Sequence, residues 1–296
     1  MGDDWIADEP AKATETDSQK IVVKKNATKP AIESDKRELT FSDKEIEEWL
    51  NKKETLASSK CVALVGKDGT GKSGIALDCR SPEDIKAGMK VIVLDLDGGC
   101  LPIKVKYHNN DPNIIIKDPT EYKTDITGTE IDYEKTMEKM RATLVHLYKN
   151  KEKYKNVKAI VLDGVDKLLK IAEYQMRLEE HLDVNAGVQY RYWVKRNTDY
   201  YKIMDMVKKL PWDRYYITHT KESETGETIP NWQKSTPDMV FQIIECSKKE
   251  TEEKVELIAH VKKFKGRTEL EGHKTVFCEV DKTNKKVNWK GIKEVL

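Results

Sequence analysis

The sequence predicts an α/β fold, a mostly parallel sheet with helices on both faces and a C-terminal antiparallel extension. Three observations carry this. Short, wholly apolar runs at residues 61–65, 91–94, 114–116 and 159–162 alternate with stretches of helical periodicity. A glycine-rich turn directly follows the first run, at 66–73. The last strand-like runs, at 239–245, 255–261 and 275–279, succeed one another with no helical segment between them. Strands buried on both faces read as continuous apolar runs, and parallel neighbours need a long crossover, usually a helix; antiparallel neighbours need only a turn.

Taken in order, residues 1–38 are polar and charged with almost no apolar periodicity. Such a stretch cannot offset its ordering entropy, which predicts a disordered tail. Its first part is acidic and its second basic (Lys20, Lys24, Lys25, Lys29), the composition of a solvating tail or of an arm that contacts a partner. Residues 39–57 form a short helix and linker. Ser42 with Glu45 has capping-box spacing, and Ile46, Trp49 and Leu50 give one apolar face. Residues 58–296 form the main domain. Within it Ser81 caps a helix that opens with Pro82 and stops before Gly88. Tyr133, Met137, Met140, Leu144 and Leu147 recur at helical spacing over 131–149. A single long helical region is expected from Leu168 and Met176 through Trp193, Tyr200, Ile203 and Val207 to Pro211, followed by a strand at 214–218.

Gly66, Lys67, Asp68, Gly69, Thr70, Gly71, Lys72 and Ser73 fit the spacing G-x-x-x-x-G-K-[ST], the P-loop. Glycines let backbone amides curl around phosphate oxygens where a side chain would collide. Lys72 is placed to neutralise β- and γ-phosphate charge, and the Ser73 hydroxyl to ligate Mg²⁺. Asp163 ends the apolar strand 159–162, where a carboxylate holds the metal's water shell; the competing use of such an Asp, helix capping, falls to Asp166. Asp95 and Asp97 lie before a Gly-Gly pair at another strand end, and one of them is a candidate to orient or deprotonate water. His219 lies at the carboxyl end of the strand 214–218, on the ligand edge of a parallel sheet. Residues 262–267 are a basic cluster holding Lys263, Lys265 and Arg267.

With these motifs the chain resembles the RecA-like P-loop ATPases over about residues 58–270. More narrowly, it is similar to the AAA-domain, single-strand-annealing ATPases among phage and archaeal-virus nucleotide-binding proteins. The resemblance implies a RecA-like P-loop NTPase fold, ATP and Mg²⁺ as ligands, and a homo-oligomeric ring or filament. It implies that Asp97 stands in for the catalytic base, usually Glu, with Asp95 or a water relay as alternatives. It further implies a Walker-B role for Asp163 and coupling of nucleotide state to a DNA-binding loop through His219. Lys263, Lys265 and Arg267 correspond to basic residues that act in trans between subunits. The DNA-binding loop would fall at 221–238, where Glu222, Glu224, Glu227 and Asp238 outnumber Lys221 and Lys234. Trp232 is the aromatic available there to stack on a base.

Composition sets bounds. The 296 residues carry 53 Lys plus Arg against 52 Asp plus Glu, so any phosphate contact comes from a local patch, not from overall charge. No apolar run is long enough to span a membrane, and the acidic opening residues do not read as a signal peptide. Five scattered cysteines with no C-x-x-C pair, and six scattered histidines without zinc spacing, suit a reducing cytoplasm. The expected function is Mg-ATP hydrolysis acting on single-stranded DNA in viral or phage recombination or replication. The alternative is an ATP-dependent switch or loader with slow hydrolysis that recruits a replication partner. A kinase is disfavoured because the closest arginine pair, Arg191 and Arg196, falls in a helical stretch and not in a lid.

Overall fold

The structure, a computed structural model, describes residues 42–51, 59–124, 129–183 and 185–292. The tail 1–38 and most of the linker lie outside the described residues. The chain divides into two compact units, Met1–Glu54 and Thr55–Leu296. In the first, α1 (Asp43–Asn51) opens with the expected capping box: the Ser42 hydroxyl accepts from the Glu45 amide at 3.3 Å, and the Glu45 carboxylate accepts from the Ser42 amide at 2.8 Å.

The second unit is built in chain order from β1 (Cys61–Gly66), α2 (Lys72–Leu77), α3 (Pro82–Lys86), β2 (Lys90–Asp95), α4 (Cys100–Tyr107), β3 (Ile114–Lys117), α5 (Tyr133–Lys149), β4 (Val157–Asp163), α6 (Val165–Glu179), α7 (Tyr190–Lys208) and β5 (Asp213–Glu222). There follow β6 (Thr228–Pro230), α8 (Thr236–Met239), β7 (Gln242–Glu250), β8 (Lys254–Phe264), β9 (Lys274–Asp281) and β10 (Lys286–Trp289). The sheet order is β10-β9-β8-β7-β1-β5-β4-β2-β3, with β6 paired to β5 off that path. From β3 through β7 every pairing along this path is parallel, while β7-β8, β8-β9 and β9-β10 are antiparallel. This is the α/β architecture the sequence predicts.

Alternate residues of the central strands feed two cores. On one face Ala63, Val65, Ile160, Leu162 and Tyr216 pack with Met137 and Met140 of α5, Leu168 of α6 and Ile203 of α7. On the other, Val62, Leu64, Val161 and Ile217 pack with Ile75 of α2, Cys100 of α4 and Phe277 of β9. Burial on both faces is why these strands show no polar alternation.

Four features differ from the sequence reading. The expected long helix is two helices. His181, at φ +53°, breaks the first, Leu182 N–H reaches back to the Arg177 carbonyl at 2.8 Å, and the Arg177 guanidinium bonds the Asp183 and Ala186 carbonyls at 3.0 Å. Helix α4 was not anticipated. It is short and weakly amphipathic, and its start is fixed by the Asp95 carboxylate from the end of β2, across the intervening loop. The strand expected from 239 begins at Gln242, because residues 236–239 form α8. The 221–238 segment is a hairpin followed by a pinned connection. Thr220–Glu222 pair with Thr228–Pro230, Trp232 packs on the first core, and the Tyr200 hydroxyl meets Thr236 Oγ1 at 2.9 Å. Trp232 is therefore half-buried and engaged in packing.

Candidate functional site

Parallel register gathers the chemistry at one sheet edge. Gly66 pairs with His219 and Cys246, Asp163 with Ile217, and Asp95 with Asp163, so the carboxyl ends of β1, β5, β4 and β2 meet there. Open parallel sheets bind ligands in the crevice outside such ends.

The P-loop leaves β1 and enters α2. A Cβ on Gly66 would sit 2.2 Å from the Cys246 carbonyl oxygen, so only glycine passes β7 there. Gly69 (φ +70°) and Gly71 (φ +82°) supply the left-handed turns that curl the loop. Thr70 Oγ1 bonds the Lys67 carbonyl at 2.8 Å. Lys72 Nζ is buried and donates to the Gly66 and Lys67 carbonyls at 2.9 and 2.8 Å. Burial lowers its pKa below the usual lysine value, opposed by the charges around it, Asp163 and Asp97 among them.

Ser73 Oγ donates to Asp163 Oδ2 at 2.8 Å, and Cys100 Sγ lies 3.0 Å from the same oxygen. Burial raises the Asp163 pKa, with Asp95 and Asp97 adding to the rise; the bonds from Cys100 and Ser73 oppose it. A hydroxyl beside a carboxylate is a hard-oxygen pair of the kind Mg²⁺ prefers, so the donors fit that ion. The paired aspartates part company: strand β2 ends at Asp95, and Asp97 lies in the loop beyond. Asp95 is buried, and its two oxygens accept the Gly98 and Cys100 amides at 2.7 and 2.9 Å. Half-buried Asp97 accepts an ion pair from Lys167 Nζ at 2.7 Å and lies 3.6 Å from His219 Nε2. Burial alone would lower the Lys167 pKa, but its bond to Asp97 outweighs this and raises it. His219 Nε2 also lies 2.7 Å from Asp68 Oδ1 on the P-loop.

Lys263, Lys265 and Arg267 do not join this edge within one chain. Strand β8 runs against β7, so Phe264 pairs with Gln242, which pairs with Val62 at the far end of β1 from Gly66. There Lys263 and Lys265 donate to the Pro237 and Asp238 carbonyls at 2.6 and 2.9 Å. Arg267 is half exposed, 3.5 Å from Glu269 and over the Phe264 ring.

Sequence reasoning missed an apolar cavity of about 410 Å³ beside the P-loop. Gly71 and Gly74 form one wall, Ile103 and Tyr107 of α4 a second, and Val287 and Trp289 of β10 a third. A Cβ on Gly74 would lie 2.9 Å from the Trp289 ring, and Trp289 Nε1 bonds Asp78 Oδ2 at 2.8 Å. The unusual Gly74 inside a helix is the one signal in the sequence that something packs closely on α2.

Among the described residues, no helix is long and apolar enough to cross a membrane. Of solved structures, the RadB recombinase shares 15% identity over 77% of this chain and 89% of its own, with a TM-score of 0.44. The KaiC-like protein PH0186 from Pyrococcus horikoshii OT3 shares 13% identity over 77% and 88%, with a TM-score of 0.45. No curated protein matches the chain. Residues 58–288, nearly the whole of the second unit, match the AAA_24 family, described as an AAA domain; the chain belongs to that AAA-domain family of P-loop proteins.

Proposed function

We propose that the chain binds and hydrolyses Mg-ATP at the edge formed by residues 66–73, Asp163, Asp97 and His219. The observation that carries this is the 2.8 Å contact of Ser73 with Asp163, made where the P-loop turns into α2. Ser73 and Asp163 would hold Mg²⁺, which would supply charge neutralisation at the phosphate oxygens. Lys72 exchanges its loop carbonyls for phosphate oxygens, and the loop amides of 66–71 face the same charge. The apolar cavity of Tyr107 and Trp289 suits the nucleobase, which has the flat faces aromatic walls accept. Of the pair Asp95 and Asp97, Asp97 is the carboxylate left to orient or deprotonate water, since both Asp95 oxygens are taken by backbone amides. His219 stands beside it at the terminal-phosphate end of the loop.

Single-stranded DNA as the effector, a ring or filament assembly, and a place in viral or phage recombination or replication rest on the resemblance to RecA-like ATPases. Arg267, whose exposed guanidinium bonds no backbone carbonyl among the described residues, is the member of the basic trio suited to reach a neighbouring copy. One observation favours the slower, switch-like reading: an Asp97 oxygen is occupied by the Lys167 ammonium at 2.7 Å and is not free to receive a proton from water. Steady-state ATP hydrolysis with and without single-stranded DNA, controlled by Lys72→Ala, separates the readings. DNA-stimulated turnover that vanishes in the variant supports the DNA-driven ATPase. Binding without turnover, or turnover indifferent to DNA, sinks it in favour of the switch.

A further inference from the structure

Asp166 sits in the first turn of α6, where a carboxylate ordinarily caps the helix or faces solvent. It does neither. The cap position is Gly164, at φ +91°, with no side-chain cap bond, and Asp166 is 7% exposed. Its Oδ2 faces His219 Nδ1 at 3.3 Å and its Oδ1 accepts from the His219 amide at 3.5 Å. The backbone around His219 is held independently. Gly164 N–H bonds the Ile217 carbonyl at 3.2 Å, and Asn231 N–H bonds the His219 carbonyl at 2.8 Å. The imidazole ring is thus the part left to be oriented, and three carboxylates surround it: Asp166 on Nδ1, Asp68 and Asp97 on Nε2.

We infer that Asp166 is the positioning residue of His219, holding Nδ1–H so that Nε2 faces the P-loop and Asp97. This rests on the proposed role of His219 at the terminal phosphate. A carboxylate on a ring nitrogen favours a proton there. Asp166, buried on α6, does so at Nδ1. Asp68, which meets Nε2 at 2.7 Å, is exposed on the loop and can leave that nitrogen to the ligand side. The order Asp163-Gly-Val-Asp166 therefore divides two tasks across one sharp turn. The strand's last residue serves the metal-binding pair, and the helix's second residue orients the histidine of the neighbouring strand.

The test uses the full chain with ¹⁵N-labelled histidine, the His219 signals being assigned by their loss in His219→Gln. The wild type is expected to carry a proton on Nδ1, whatever the state of Nε2, and Asp166→Asn, with unchanged circular dichroism, to lose it. In ATP hydrolysis Asp166→Asn is expected to lower kcat by about 10–100-fold with little change in KM. Added to His219→Gln, it is expected to cost nothing more. A tautomer unchanged in Asp166→Asn, or a full additional loss on top of His219→Gln, overturns the positioning role. Should Asp166→Asn fail to fold, Asp166→Glu, which keeps the carboxylate, is expected to retain the Nδ1 proton; its loss there overturns the role equally. A wild type without turnover overturns the ATPase reading alone, because the tautomer still reports on Asp166.

Discussion

Cys100 directs its thiol at Asp163, 3.0 Å from the oxygen that also accepts the Ser73 hydroxyl at 2.8 Å. Burial, reinforced by the charges of Asp163 and Asp95, raises the thiol well above its usual pKa, so it remains a donor. Cys100→Val removes that donor and frees the carboxylate. Losing one weak bond of about 1 kcal/mol corresponds to about a five-fold rise in the Mg²⁺ concentration for half-maximal turnover. Cys100→Ser, which keeps a hydroxyl, is expected to stay near the wild type, and a Mg²⁺ titration of both variants decides.

All five cysteines are buried and free. A thiol reagent is expected to find almost none of them in the native chain and all five once urea has unfolded it. Rapid native reaction of even one would contradict the packing described for these thiols.

Two P-loop glycines separate backbone strain from steric exclusion. Gly69→Ala meets no atom within 4 Å and loses only the left-handed backbone preference, about 1 kcal/mol. Gly71→Ala carries the same backbone cost, and its Cβ lies 2.9 Å from Leu257 and Phe277. Thermal melts are expected to rank them accordingly. Gly69→Ala falls by about 2–4 °C and Gly71→Ala by more.

Arg80 is almost wholly buried and pairs with Asp111 at 2.5 Å. Burial alone would raise the Asp111 carboxyl, but the bonds from Arg80 and the Asn113 amide outweigh it and hold the pKa below the usual value. A carboxyl lowered by folding stabilises fully above its unfolded pKa, near 4, and that contribution is lost as pH falls through the folded value. Asp111→Asn removes the charge that pairs with the guanidinium and leaves it the Met89 carbonyl at 3.0 Å, and is expected to cost about 2–3 kcal/mol at pH 7. Urea melts from pH 7 down to pH 3 are expected to show the gap to wild type narrowing only below about pH 4.

The cavity beside the P-loop gives a ligand-based prediction. Trp289→Ala removes one of its walls and is expected to weaken ATP binding several-fold, read by calorimetry. Unchanged affinity would mean that the nucleobase lies elsewhere.

What the sequence made legible follows from how local each signal is. Strands β1 and β4 announce themselves because both faces are buried, and Ser42 with Glu45 declares a helix start within four residues. The P-loop is contiguous, so its eight residues are named before any fold is known. Helix α4 is hidden because its start depends on Asp95 across a loop and its own residues hardly segregate. The break between α6 and α7 is hidden because His181, not a glycine or proline, turns the chain. Trp232 looks available in a polar stretch until it is seen to pack on the first core. The cavity walls come from segments widely separated in sequence, and the Asp166–His219 pair joins a helix to the neighbouring strand; neither leaves a periodic trace.

Because β10 closes over Gly74 and the P-loop, the proposed nucleotide site is assembled from one early and one late stretch of the polypeptide. During synthesis the phosphate loop emerges from the ribosome long before the strand bearing Trp289. On the proposed reading, a nascent chain whose parallel strands have all emerged still lacks the wall that would retain a nucleobase, which would leave full ATP affinity to the last stage of chain elongation.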